Sequence, residues 1–112
     1  MMWLINKARA QAHRPGLKYS AALSSIARMH SAQMAKSQSI FHTANLGYVI
    51  RNFRWSLAGE NVGMGPGMDA LHQAFMASPP HRRNNLEKQF HRIGVGVIWK
   101  DGIAYITVEF MS

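Results

Sequence analysis

The chain has 112 residues, no cysteine and a formal net charge of +8. Its length matches one domain, because a chain of this size buries about two-thirds of its unfolded surface in a single core. The lack of cysteine excludes a disulfide framework, a thiolate metal site and a cysteine nucleophile. No apolar run approaches the ~20 residues of a membrane-spanning helix. We therefore predict one domain over residues 1–112 without a transmembrane segment.

The positive charge raises the question of an anionic partner. Most basic residues are scattered, and the one tight group consists of Arg82 and Arg83 with Lys88 and Arg92 nearby. No aromatic RNA-binding motif, zinc-finger spacing or basic zipper accompanies them. We predict no specific nucleic-acid recognition, and we keep two interpretations of the charge: an anionic cell-surface or lipid ligand, or an ordinary solvated surface.

Two helices are predicted in the first third of the chain. Apolar residues recur at helical spacing from Leu4 to Ala12, and Pro15-Gly16 ends this first helix. Ser20 stands where a cap belongs, in front of the second helix. Residues 37–58 carry mixed signals and predict a packed irregular segment. The predicted core face of the second helix consists of Leu23, Ile26, Ala27, His30 and Met34.

A third helix is predicted in the second half of the chain. Gly63, Gly65 and Gly67 predict a flexible turn in front of it, and its apolar face runs from Met68 to Met76. Because proline cannot continue a helix, Ser78-Pro79-Pro80 should terminate it.

The clearest pattern is the alternation on both sides of Asp101-Gly102, which predicts a β-hairpin with a two-residue turn. In this register Gly94 pairs with Glu109 and Gly96 with Thr107. The glycine face suits either a closely approaching backbone or the floor of a cleft. The other face should be core, and it carries Val95, Val97, Trp99, Ala104, Ile106 and Val108. With helices on both sides, we predict an α+β fold, a three-layer α-β-α sandwich with a small antiparallel sheet between helices.

Three short polar clusters stand out as candidate functional residues: Phe41-His42-Thr43, Gly59-Glu60-Asn61 and Ser78-Pro79-Pro80-His81-Arg82. Two imidazoles and a carboxylate make a sufficient ligand set for a divalent metal, with water completing the coordination. His42, Glu60 and His81 are therefore the predicted metal ligands. They lie far apart along the chain, so no local spacing demonstrates that they converge.

Structural roles for the same residues remain open. Glu60 could accept hydrogen bonds from loop N–H groups or pair with an arginine, His42 could be a turn residue, and His81 could cap the third helix. We expect His30 and His72, on apolar helix faces, to be packed and hydrogen-bonded. A serine hydrolase built from Ser78, His81 and Glu60 is not favoured, because no nucleophile elbow is present.

The clusters, in this order, resemble the CAP superfamily of cysteine-rich secretory, antigen-five and pathogenesis-related proteins, in its compact bacterial form. The most diagnostic segments are Ala58–Val62 and Phe75–Asn84. The resemblance implies an α-β-α sandwich whose central cleft gathers two histidines and one or two acidic residues and sometimes holds zinc or another divalent ion. His42, Glu60 and His81 would line that cleft. The second acidic residue of eukaryotic relatives has no evident counterpart here.

The resulting expectation is a non-enzymatic, extracellular or cell-envelope domain whose His/Glu cleft binds a divalent cation, such as zinc, or a small or polymeric ligand. A zinc-dependent hydrolase in the same cleft is the first alternative, although no separate general base is identifiable and no catalytic residue is assigned. A cell-envelope interaction module with a vestigial cleft is the second. The apolar run Met1–Ile5 is too short for a signal peptide, so the chain either stays inside the cell or is a processed or truncated form.

Overall fold

A computed structural model describes residues 1–112. The helices and strands follow in this order: α1 (Met2–Gln11), β1 (Lys18–Tyr19), α2 (Ala21–Ser37), α3 (Leu46–Val49), β2 (Ala58–Gly65), α4 (Met68–Ala77), α5 (Pro79–Leu86), β3 (Arg92–Lys100) and β4 (Ile103–Met111). Together they form a mixed α+β fold, as predicted. No helix combines the length and the apolar character needed to cross a bilayer.

The four strands form one sheet in the order β1-β3-β4-β2. The hairpin of β3 and β4 has the predicted register, with Gly94 opposite Glu109. Its turn residues Asp101 and Gly102 have φ angles of 52° and 77°, the left-handed backbone that a type I′ turn requires. Strand β2 pairs antiparallel with β4, and the two-residue β1 pairs parallel with β3. The predicted antiparallel sheet therefore has one short parallel edge.

Helices cover both faces of the sheet. The larger core lies on the face of α1 and α4, where Ile5, Leu71 and Phe75 pack with Ile106 and Val108. Helix α2 covers the other face, and its residues join Val62, Tyr105 and Met111 in two smaller clusters. The three-layer α-β-α sandwich is confirmed.

The bare glycine face of the hairpin admits a closely approaching helix. A Cβ atom on Gly96 would lie 2.1 Å from the backbone N of Arg28, and one on Gly94 would lie 2.4 Å from the backbone C of Leu23. Any side chain there would collide with the backbone of α2. Of the two roles left open for these glycines, close backbone approach is therefore correct.

Two predictions of local structure were wrong. Gly63 and Gly65, predicted as part of a flexible turn, lie in strand β2, because pairing with β4 satisfies their backbone groups. Gly63 gives room to α4, since a Cβ atom there would lie 3.1 Å from the Phe75 ring. Ser78-Pro79-Pro80 ends α4 but also begins α5, because proline is well tolerated in the first turn of a helix.

Trp99 is a third correction, on the predicted core face of the hairpin. Ala104, Ile106 and Val108 on that face are buried, whereas Trp99 is 57% exposed. Alternation determines which face of the sheet a side chain occupies. It does not determine how far along the strand the covering helices extend.

Candidate functional site

Glu60 is the centre of the candidate site. It lies on β2 and is only 8% exposed. His42 donates from Nδ1 to its Oε1 at 2.9 Å, Thr43 donates its backbone N–H to the same oxygen at 2.8 Å, and the Thr43 hydroxyl donates to Oε2 at 2.5 Å. Two structural roles were considered for Glu60. It does accept a hydrogen bond from a loop N–H group, and it does not pair with an arginine. A buried carboxylate thus fastens the loop of His42 to the sheet.

Hydrogen bonding keeps this carboxylate ionised. Burial alone would raise the pKa of Glu60, because it disfavours the charged form. The neighbouring carboxyl group of Glu109, together with hydrogen bonds from Thr43 and His42, outweighs burial and lowers the pKa to about 2. Since an ionised carboxylate only accepts hydrogen bonds, His42 carries its proton on Nδ1 and leaves Nε2 as an acceptor when the ring is neutral.

Glu109 belongs to the site, although the sequence analysis did not assign it there. It pairs with Glu60 across β2 and β4 and is 1% exposed. Neither of its carboxyl oxygens has a hydrogen-bond partner. Burial and the negative charge of Glu60 raise the pKa of Glu109 to about 10. Glu109 is therefore neutral at physiological pH, beside the ionised carboxylate of Glu60.

His81 lies in the first turn of α5. Its Nδ1 is hydrogen-bonded to the Ser78 hydroxyl at 2.8 Å, and its ring stacks on Phe75 with centroids 5.0 Å apart. Burial, followed by the nearby positive charge of His42, lowers the pKa of His81. His81 does not cap α4. His42 is near enough to affect the pKa of His81, and Nδ1 of each ring already has a hydrogen-bond partner.

Three buried or half-buried amides connect α5 to β2. Asn61 donates to the carbonyl of His81 at 3.1 Å and to Asn85 Oδ1 at 3.0 Å. Asn84 donates to the carbonyl of Glu60 at 3.2 Å and to Asn61 Oδ1 at 2.9 Å. The backbones that carry His81 and Glu60 are thereby held together by side-chain amides. Asn61 and Asn85 are fully buried.

Arg9 holds the far end of α5, and sequence reasoning gave it no such role. It is fully buried on α1, and its guanidinium donates to four backbone carbonyls at 2.8 to 3.2 Å. The acceptors are Pro15, Asn85, Glu87 and Phe90. Its charge thus satisfies carbonyls at the end of the helix that carries His81.

His30 and His72 lie outside the site. His30 is buried, and its Nε2 is hydrogen-bonded to the carbonyl of Phe41 at 2.6 Å, as expected for a packed histidine. The buried Nδ1 of His72 has no partner, so the hydrogen bond expected there is absent at that atom. No group of three or more His, Asp or Glu side chains has the arrangement of a metal site.

Comparison with known proteins identifies the fold. No curated protein sequence matches the chain significantly. An outer surface protein from Borrelia burgdorferi superposes with a TM-score of 0.89 at 19% identity, over 99% of this chain and 88% of that one. An extracellular SCP-domain protein from Bacillus anthracis gives a TM-score of 0.84 at 28% identity, over 99% of this chain and 39% of that one.

A cysteine-rich secretory protein from Staphylococcus aureus gives a TM-score of 0.80 at 21% identity, over 98% of this chain and 36% of that one. The chain thus spans about two-fifths of the length of these last two proteins. The family model described as "CAP: Cysteine-rich secretory protein family" matches residues 3–110. The chain therefore belongs to the CAP family, the cysteine-rich secretory protein family.

Proposed function

We propose that the chain is a non-enzymatic binding domain outside the cell, in which His42 and His81 bind a divalent cation such as Zn²⁺. The observation that carries this proposal is the 2.9 Å contact between His42 Nδ1 and Glu60 Oε1. Glu60, predicted as a third ligand, instead orients the imidazole. Both of its oxygens already accept hydrogen bonds from His42 and Thr43.

The proposal rests on which ring atoms are engaged. Metal-binding histidines usually donate their second ring N–H to a carboxylate or another acceptor, which fixes the tautomer and the ring orientation. In His42 that acceptor is Glu60, and in His81 the engaged atom is bonded to Ser78. Nε2 is left for a ligand in both rings. His42 has a side chain that is 65% exposed and therefore accessible to an ion from solvent.

An enzymatic role is the weaker alternative, because once His42 and His81 hold the cation no separate side chain is suited to act as a general base. Glu60 is ionised, but its low pKa and its three hydrogen bonds make it a poor proton acceptor at neutral pH. Glu109 holds a proton, but it is almost fully buried behind Glu60 and cannot reach a substrate. A bound cation would supply Lewis acidity, but neither Glu60 nor Glu109 would transfer a proton in the reaction.

The extracellular location and the anionic partner are proposals from likeness and charge. The Bacillus anthracis neighbour is described as extracellular and the Borrelia burgdorferi neighbour as an outer surface protein. The net charge of +8 favours attraction to an anionic cell surface or lipid. Because such attraction is screened, binding to anionic vesicles should weaken as the salt concentration rises.

Zinc titration calorimetry of the full chain tests the metal proposal. We expect the double variant His42→Ala/His81→Ala to lose measurable zinc binding, and Glu60→Gln to weaken it by about 10- to 100-fold, as is usual for an orienting carboxylate. The matched control is His13→Ala/His91→Ala, which removes two exposed histidines away from the site. The control should bind zinc as the unmodified protein does.

Unchanged zinc uptake in the His42→Ala/His81→Ala variant would contradict the metal proposal and favour a vestigial site. A hydrolytic activity that disappears on chelation and returns with zinc would favour the enzyme instead. Circular dichroism of each variant confirms that the fold is intact before binding is compared.

A further inference from the structure

Helix α2 presents a second stripe of side chains besides the one that packs on the sheet. Its buried stripe includes Leu23, Ala27 and Met34. A neighbouring stripe carries Ile26, Met29, His30 and Gln33, spaced as successive turns of one helix face. Met29 on this stripe is 68% exposed. The stripe lies beside the face that packs on the sheet: His30 in it is buried, Ile26 is partly buried against a core cluster, and Met29 is exposed.

Thr43 and Val49, from the segment that follows α2, line the other side of a pocket of about 250 Å³. We call it the α2–α3 pocket, and its lining residues are Ile26, Met29, His30, Gln33, Thr43 and Val49. An apolar cavity of roughly 150 Å³ is enough to hold benzene. The α2–α3 pocket is therefore large enough for a substituted single ring and too small for a helix or a strand of another protein.

The polar atoms that line the pocket are mostly engaged inside the protein. His30 is hydrogen-bonded to the carbonyl of Phe41, and the backbone N–H and the hydroxyl of Thr43 both donate to Glu60. Only Gln33 remains as a polar side chain without an internal partner. A ligand thus meets three apolar side chains and only one polar side chain, Gln33, without an internal partner, which favours apolar contact over hydrogen bonding.

Exposed apolar side chains stand at the pocket. Phe41 is 41% exposed and packs its ring edge-on against the pocket residue His30, with centroids 5.1 Å apart. Met29, which lines the pocket, is 68% exposed. Large apolar side chains left in water around a concave site are typical of a surface that becomes covered by a ligand.

We propose that the α2–α3 pocket binds a small apolar molecule about the size of a substituted benzene, at a site separate from the histidines. The affinity comes from removal of apolar surface from water, which is non-directional and therefore selects the ligand by size and polarity. Thr43 borders the pocket on one side and holds Glu60 on the other. This proposal does not require that the histidines bind a metal.

The experiment uses 4-fluorotoluene as the probe and ¹⁹F NMR of the full chain as the readout. The main variant is Met29→Glu, which places a charge at the mouth of the pocket. Because Met29 is exposed, the fold should tolerate a polar residue there. We expect the affinity for the probe to fall at least about tenfold, since a carboxylate beside an apolar ligand must be desolvated. The matched control is Met64→Glu, at an exposed methionine on β2.

Saturable binding that is lost in Met29→Glu and kept in Met64→Glu supports the proposal. Equal loss in both variants, no change in either, or no saturable binding to the unmodified protein overturns it. A second variant, Val49→Phe, fills the pocket with apolar volume and adds no charge. It should also weaken binding of the probe, which would exclude an effect of charge alone. The His42→Ala/His81→Ala variant should bind the probe normally, so the outcome is independent of the metal proposal.

Discussion

The two histidines of the site are held to the protein in different ways. His81 lies on α5, which is tied to β2 and α1 by buried amides and by the guanidinium of Arg9. His42 lies in a largely exposed segment, and one buried carboxylate, Glu60, fastens it to the sheet. One half of the site is thus part of the core. The other half depends on an ionised group, so mutation and pH should affect the two halves differently.

The largest expected effect comes from the core half. We predict that Arg9→Met, which keeps an unbranched side chain of similar length, lowers the free energy of unfolding by about 3–5 kcal/mol, because buried carbonyls lose their charged donor. Urea denaturation at neutral pH measures it. Lys7→Met, on the exposed side of the same helix, is the matched control and should change stability by less than about 0.5 kcal/mol. A similarly small cost for Arg9→Met would show that the four hydrogen bonds of Arg9 do not stabilise α5.

Local patterns predicted much of the sandwich. Helical spacing located α1, α2 and α4, and alternation around Asp101-Gly102 located the hairpin with its register. Strand β2 was missed because its glycines resemble turn residues, and its partners in β4 lie far along the chain, from Gly65 opposite Ala104 to Ala58 opposite Met111. Helix α5 was missed because Pro79 and Pro80 indicate the end of one helix and the start of another equally well.

The candidate site was only partly predictable for a related reason. The polar clusters identified His42, Glu60 and His81, and the structure brings His42 into contact with Glu60. Glu109 could not be assigned to the site without knowing that β2 lies beside β4. The hairpin register already placed Glu109 opposite Gly94, a signal for an inward-facing acid. Arg9 gave no signal, since an arginine on a helix is usually exposed.

The pair of carboxyl groups predicts how stability depends on pH, and the effect should be intermediate in size. Both groups have an unfolded pKa near 4.5, and in the folded protein Glu60 titrates near 2 and Glu109 near 10. Between about pH 2 and 4.5 the unfolded chain binds more protons, so the stabilisation from Glu60 is lost as pH falls. Between about pH 4.5 and 10 the folded chain binds more, so the stabilisation from neutral Glu109 is lost as pH rises.

Glu109→Gln tests this account, because glutamine keeps the size of the side chain and an N–H donor for Glu60 but does not titrate. The unmodified protein should lose about 2–4 kcal/mol of its free energy of unfolding between pH 6 and 9, and the variant should lose clearly less. Glu87→Gln serves as the control, since the side chain of Glu87 bonds only to the exposed backbone N–H of Gln89. Equal pH slopes in the Glu109→Gln variant and the unmodified protein would mean that the pair does not share a proton.

The smallest effects should arise in the loop half, where two neighbouring residues contact the same carboxylate. His42→Ala should cost less than about 1 kcal/mol, because the imidazole is largely exposed and makes a single hydrogen bond, to Glu60. Thr43→Val, which removes the hydroxyl bonded to Glu60 Oε2 without changing shape, should cost about 1–2 kcal/mol. Urea denaturation of the two variants at pH 7 gives the ranking. A cost this small for His42→Ala would support the proposal that His42 lies against Glu60 in order to bind a ligand through Nε2. If His42→Ala proves as costly as Thr43→Val, the imidazole fastens the loop and needs no ligand to explain it.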